Sequence, residues 1–395
     1  MDEAPDRGRG RTRRQFLGAA AATAALGPAL VGGAAAEASS GRGRRHGRGG
    51  GPLVVAEQGS FMVGGTVVQA PGTFDPNEFI SPAGGTLHGD HAYVQYQIPP
   101  NAREYPLVLW HGGGQFSKTW ETTPDGREGY QNIFLRRGWS VYLVDQPGRG
   151  RAGQMTAGAT ITPVTTDGSL WQVFRLGLYP GFFPGTQFPA TPEAVAQYWR
   201  QVTPNTGPEP NPVDAGPHPQ VDATVALFEE IGPAILVTHS QSGRYGWLTR
   251  IKSPDVVAIV SYEPATFVYP SDAVPGAIPG PPHPFVAGIT APIVVQPDEF
   301  ERLLDIPIQI VYGDNVERDP AAQSPYPGID LWRAVAIRAE QFAAAINDRG
   351  GRASILHLPD AGLHGNTHFP FSDLNNLQVA DLLSEHLRRH RLDRR

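Results

Sequence analysis

Ten residues, Ala234 to Gly243 (AILVTHSQSG), leave this chain few choices. Ala234 to Thr238 are small or branched and carry no charge, the pattern of a strand buried on both faces. His239-Ser240-Gln241-Ser242-Gly243 then turns the chain sharply toward a helix. A serine at such a corner is held in a strained turn with its hydroxyl exposed, provided the residues two positions away are small enough for strand and helix to close together. Thr238 and Ser242 meet that condition around Ser240. Around Ser242 the frame would be Ser240 and Arg244, and an arginine is too bulky for the crossing. Ser240 is therefore the candidate nucleophile. A serine-rich turn with no chemistry would share this composition, because neither flanking position is glycine.

The rest of the chain supplies a sheet for that strand. Phe61 to Ala70 and His91 to Pro99 alternate branched, aromatic and polar residues and read as an antiparallel hairpin covering a sheet edge. Pro106 to His111 and Trp139 to Asp145 are short apolar runs separated by one helix, Tyr130 to Arg137. Strand, helix, strand with apolar runs implies parallel pairing buried on both faces. Val256 to Tyr262, Ile306 to Tyr312 and Ser354 to Leu358 continue the series, and an amphipathic helix from Asn375 to Arg389 closes it. The expected class is α/β, with a mainly parallel central sheet and helices on both faces. Asp145 and Ser240 are separated by 94 residues, where a simple crossover needs roughly 30 to 40. That excess predicts an insertion at about 152–220, and its aromatic run Leu176 to Pro189 has the composition of a cap over a pocket. A proline-rich segment at about 264–300 reads as a rim loop.

Acyl transfer by serine needs a histidine base, a carboxylate to orient it, and backbone donors for the oxyanion. His111-Gly112-Gly113-Gly114 follows an apolar strand, and bare glycine N–H groups there can approach a reacting carbonyl. The N–H of Gln241, next after the nucleophile, is the second expected donor. His364 and His368 both lie in the loop after the last strand and either could serve as base. Gly365-Asn366 between them disfavours the helix on which a histidine pair would hold a metal, and no glutamate completes such a motif. For the acid, Glu263 ends one strand and Asp314 follows the next. Pro264 is expected to fix an extended backbone at Glu263, whereas Asp314, between Gly313 and Asn315, has the look of a turn residue capping its own loop.

Here a resemblance narrows the choice. Trp120 to Arg127 (WETTPDGR), Val144 to Arg151 (VDQPGRGR), His239 to Gly243, Glu263-Pro264 and Gly365 to Asn376 (GNTHFPFSDLNN) together resemble the atypical bacterial and fungal esterases of the α/β-hydrolase fold. The likeness runs from about Tyr105 to the C-terminus and thins in the insertions. It implies a triad glutamate after the sixth strand, which falls on Glu263, and a base at His368. It also implies an oxyanion donor at Gly113, where some members carry a cysteine pair that this chain lacks. The expected activity is hydrolysis of a small-molecule carboxylic ester by Ser240, His368 and Glu263. Lactonase, peptidase or acyltransferase chemistry, or a hydrolase-like binding protein without turnover, would use the same scaffold.

The N-terminus carries a different message. Thr12-Arg13-Arg14-Gln15-Phe16-Leu17 followed by an Ala/Gly-rich run resembles a twin-arginine export signal spanning 1–38, cleaved near Ala36 or Ala38. Gly18, Gly27, Pro28, Gly32 and Gly33 make that run a poor membrane anchor. A basic Gly/Arg-rich linker at 39–51 and a hydrolase domain at 52–395 complete the expected organisation. Residues 1–50 hold nine arginines against four acids, leaving a formal charge of -11 on the remainder, which excludes a nucleic-acid surface there. The chain has no cysteine, so thiol chemistry and disulfides are excluded, and no cofactor is called for. The expected partners are the ester substrate and, for the precursor, the export machinery.

Overall fold

The computed structural model describes residues 51–161, 166–209, 218–280 and 283–395. The expected export signal and nearly all of the linker lie outside the described residues, as do parts of the two insertions. The elements begin with β1 (Glu57–Gln69), β2 (Thr86–Ile98), β3 (Leu107–Trp110), α1 (Tyr130–Arg136), β4 (Val141–Asp145), α2 (Asp167–Val173), α3 (Pro192–Arg200) and α4 (Pro219–Ile231). They continue through β5 (Ala234–His239), α5 (Gln241–Lys252), β6 (Val256–Tyr262), β7 (Val268–Pro270), α6 (Pro284–Ile289), β8 (Ile293–Val295) and α7 (Pro297–Glu301). The last are β9 (Pro307–Tyr312), α8 (Pro327–Asn347), β10 (Arg352–His357) and α9 (Asn376–Arg389).

Eight strands form one sheet in the order β1-β2-β4-β3-β5-β6-β9-β10. From β4 to β10 every pairing is parallel, and the β1–β2 hairpin joins β4 antiparallel. Both faces are covered, as the unbroken apolar strands require. Val108, Trp110 and Leu236 pack on one side with α4, α5 and α8. Leu107, Leu109, Ile235 and Val237 pack on the other with α1 and α9. The α/β class read from the sequence is the fold the chain adopts.

The strand order fixes where chemistry can sit. β3 lies between β4 and β5, so the connections leaving β3 and β5 depart in opposite directions and open a crevice at their carboxyl ends. His111 to Gly114 and Ser240 stand on these two ends. Helix α5 closes on β5 at Gly246, where a Cβ would stand 2.9 Å from Thr238 Cγ2, and on the end of β6 at Gly243, where a Cβ would stand 2.7 Å from that of Pro264. The close approaches thus lie at glycines beyond the Thr238 and Ser242 frame expected from the sequence.

The segment at 264–300 is more than a loop. It contains β7 and β8, paired in parallel as a second small sheet, together with α6 and α7. Val268, Tyr269 and Ile293 are buried there. Prolines cut its apolar residues into three-residue strands, too short for periodicity to reveal. Among the described residues no helix is long and apolar enough to cross a membrane.

Candidate active site

The corner after β5 is strained and cross-linked. Ser240 has φ 53° and ψ -116°, a conformation that a residue with a side chain keeps only where its surroundings enforce it. Its N–H donates to the Tyr262 carbonyl at 2.8 Å. Ser242 Oγ accepts from the His239 N–H at 2.9 Å and donates toward the Trp110 carbonyl at 2.9 Å. Thr238 Oγ1 donates to Ser261 Oγ at 2.7 Å. The two small residues that frame Ser240 therefore use their hydroxyls to tie the turn to β3 and β6. Ser242 is fully buried, which leaves Ser240 as the hydroxyl that lines a cavity.

That cavity has a volume of about 250 Å³ and is walled by Val173, Phe174, Ala265, Ile289 and Trp332, with Ser240, Gln241 and His368 on its floor. His368 is buried beneath it, its ring stacked on Phe174 at 5.4 Å between centroids and tilted against Trp332 at 4.9 Å. Its N–H donates to the Phe174 carbonyl at 3.0 Å, and its carbonyl accepts from His239 Nε2 at 2.8 Å. His368 Nδ1 faces Glu263 Oε2 at 3.5 Å, and among the described residues neither atom has another partner. This is longer than a tight hydrogen bond, and such contacts shorten when substrate binds.

Glu263 is completely buried. Its Oε1 accepts from the Gly313 N–H at 2.6 Å and from Arg175 Nη2 at 2.7 Å. Burial pushes the carboxyl upward, but Arg175 and His368 outweigh it and hold the group below its usual range. Burial pulls the His368 imidazole down against the opposing pull of Glu263. The backbone at Glu263 is not extended, as Pro264 would predict, but has φ 58°. The Glu263 N–H still donates to the Val311 carbonyl at 2.9 Å, in line with the β6–β9 pairing. The left-handed turn comes after this last bond, where the carboxylate reaches Gly313 and Arg175, and the restriction imposed by proline applies to the right-handed region.

The other candidates are placed elsewhere. Asp314 accepts from the N–H groups of Asn315 and Gly365, both at 2.7 Å. It caps its turn and braces the histidine loop. Its nearest imidazole is the exposed His364, at 3.8 Å. The structure thus brings Ser240, His368 and Glu263 to one place and keeps Asp314 with His364.

Gly113 and Gln241 lie side by side opposite the corner; a Cβ on Gly113 would stand 3.3 Å from the Gln241 side chain. Gln241 opens α5, so its N–H has no partner within the helix. Gly112 passes so near the corner that a Cβ would lie 3.0 Å from that of Ser240. His111 holds the loop's shape: its Nδ1–H donates to the Gly112 carbonyl at 2.8 Å and its Nε2 accepts from the Gln146 N–H at 3.3 Å. Burial lowers its pKa to about 4, so it stays neutral and keeps that tautomer. The Gln241 side chain is held by Glu209 at 2.9 Å.

Sequence reasoning missed three supporting residues. Arg175, at the end of α2, carried no signal because it sits in an irregular insertion. His239 reads simply as the end of a strand. Asp373 lies within the motif quoted above but its role is three-dimensional: it accepts from the Thr367 N–H at 2.7 Å, Thr367 Oγ1 at 2.9 Å and Asn366 Nδ2 at 3.2 Å, bracing the residue before His368.

A mainly parallel sheet carrying a serine corner, a buried acid and a buried histidine on its carboxyl edge defines an α/β-hydrolase. No protein-family model matches the chain. The chain is 30% identical over 336 residues to a probable secreted lipase, phiG, of a fungal species (strain ATCC 74256), covering 76% of this chain and 86% of that protein. It is 34% identical to a novel bacterial esterase of known structure, with a TM-score of 0.67, covering 86% of this chain and 97% of that one. The chain belongs to the atypical esterase family of the α/β-hydrolases.

Asp373 makes the housing of the histidine loop pH-sensitive. Burial raises its carboxyl to about 7 against the pull of its three donors. An acid with a raised folded-state pKa stabilises the fold fully below its unfolded value, about 4, and loses that contribution as pH rises through the folded value. Between pH 4 and 8 the wild type should therefore lose on the order of a few kcal/mol relative to Asp373→Asn. Chemical denaturation of both proteins across that range checks it, and parallel pH dependences would contradict it.

Proposed function

We propose that the protein is a serine hydrolase of small carboxylic esters acting through an acyl-enzyme. One observation carries this reading. Ser240, held at a strained corner, shares its cavity with a histidine whose other ring nitrogen faces a buried, ionised glutamate. Ser240 Oγ attacks the ester carbonyl while His368 Nε2 takes its proton, and Glu263 orients and stabilises the imidazolium. The N–H groups of Gly113 and Gln241 hold the oxyanion. Collapse of the tetrahedral species breaks the bond to the alcohol, which leaves with the proton from His368. Water then attacks the acyl group through the same base, releasing the acid and restoring Ser240.

The cavity bears on substrate size. Its volume of about 250 Å³ falls below the roughly 300 Å³ at which pockets for drug-sized ligands begin. Short acyl groups fit this reading. A fluorophosphonate probe should label Ser240, and Ser240→Ala should remain folded with activity reduced by several powers of ten, on the order seen for loss of a triad nucleophile. Turnover of p-nitrophenyl esters should fall steeply beyond short acyl chains. Peptide mapping that placed the adduct on Ser242 would refute the assignment.

The reading extends to location. The fungal relative is named as a probable secreted lipase, and Arg13-Arg14 stand where a twin-arginine address is read. Because recognition of that address depends on guanidinium groups and not on charge alone, replacing both with lysine should retain the precursor in the cytoplasm. Fractionation of expressing cells measures this, and undiminished secretion would exclude that route.

A further inference from the structure

Arg175 belongs to the stretch between β4 and β5 that the sequence marks as a cap, yet it is only 1% exposed. A buried guanidinium carries a heavy desolvation cost unless its hydrogen bonds and charge are answered. Here Nη2 and Nε are answered by three separate segments, while Nη1 has no hydrogen-bond partner among the described residues. Nη2 donates to Glu263 Oε1 at 2.7 Å and toward the Thr367 carbonyl at 3.4 Å, and Nε donates to the Asp314 carbonyl at 2.8 Å. The guanidinium also lies over the Trp332 ring, 4.2 Å from its centroid. One side chain thus touches the residue after β6, the loop after β9, the residue before His368, and α8. The neighbouring backbone is anchored as firmly, with Trp332 Nε1 donating to the Val173 carbonyl at 2.7 Å and the Gln187 N–H to the Gly365 carbonyl at 2.7 Å.

We propose that Arg175 is a positioning residue for the acid: by occupying one oxygen of Glu263 it leaves the other to His368 alone, and by its charge it keeps the Glu263–His368 pair unprotonated in acidic solution. The proposal rests on the triad reading given above. Its consequence is that the insertion is part of the catalytic machinery and not a removable cover.

The charge balance explains why a cation is needed. Glu263 and neutral His368 carry one negative charge in a site that excludes water, and without Arg175 such a site would take up a proton readily. Among the described residues Arg175 is the cation that acts on this pair. From β5, His239 is pulled well below its usual range by burial, and from β10, His357 is lowered by burial too. Tyr312 on β9 is raised well above its usual range by burial and is neutral, and Asp373 in the histidine loop adds negative charge or none. Arg175 is therefore the cation that adds to burial in holding down the pH at which the base becomes protonated.

The test is the pH profile of kcat/KM on p-nitrophenyl acetate for wild type, Arg175→Met and Arg175→Lys, each also in a Glu263→Gln background, with circular dichroism as the folding control. Arg175→Met should lower kcat about thirty-fold or more with KM changed less than about three-fold. Its acid limb should move up by about one pH unit or more. Arg175→Lys keeps the charge but not the fork, so its acid limb should stay in place while kcat falls less. In the Glu263→Gln background the arginine substitutions should add little further loss. A folded Arg175→Met protein with an unmoved acid limb would overturn the proposal, as would an equal loss with and without Glu263. If Arg175→Met does not fold, Arg175→Gln, which also removes the charge, takes its place under the same two criteria. Failure of the triad reading would be seen separately, as a Glu263→Gln single variant with full activity.

Discussion

Glu263 is a carboxylate removed entirely from water, and a buried charge persists only where every lone pair and the charge itself are answered. The answers come from places distant in sequence: the Gly313 N–H after β9, Arg175 after α2, and His368 in the last loop. Each contact fixes the position of a loop at the carboxyl edge of the sheet. The ordering also runs in reverse, because the loops that hold Glu263 are the ones that aim it. Its left-handed backbone is the local strain that this convergence sustains.

A second set of contacts holds the histidine loop from the opposite side. Arg127 Nη1 donates to the Asp373 carbonyl at 3.0 Å and to Asn376 Oδ1 at 2.8 Å, and Nη2 to the Ser372 carbonyl at 2.9 Å. Asn376 Nδ2 returns a bond to the Glu128 carbonyl at 2.9 Å. Phe371, from the same loop, packs on Trp120 with ring centroids 4.1 Å apart. The WETTPDGR and GNTHFPFSDLNN stretches, far apart in the chain, are therefore two halves of one clamp. His368 sits between this clamp and the wall formed by Phe174, Arg175 and Trp332, so its ring has little freedom other than toward the cavity.

What could be read in the sequence follows from burial. β3, β5, β6 and β9 lie inside the sheet with both faces covered, and their unbroken apolar runs announce them. The corner at Ser240 was legible because close approach of strand and helix restricts residue size over several positions. β7 and β8 were not, being three residues each between prolines. Arg175 was illegible for a different reason: a single arginine after a seven-residue helix has no periodicity, and its meaning arises only when Glu263, Asp314 and Thr367 come together. The extended backbone expected at Glu263 failed because a rule about the residue before proline describes local sterics, whereas Gly313 and Arg175 act from outside the segment.

The chemistry depends on Glu263 being the carboxylate that serves His368. Measuring kcat on a short-chain ester for Glu263→Gln and Asp314→Asn, with circular dichroism to confirm folding, tests it directly. Loss of the acid facing the imidazole should lower kcat by about a thousand-fold or more, while Asp314→Asn, which removes only a turn cap and a brace on Gly365, should cost about ten-fold at most. A large loss confined to Asp314→Asn, with Glu263→Gln nearly as active as the wild type, would contradict it.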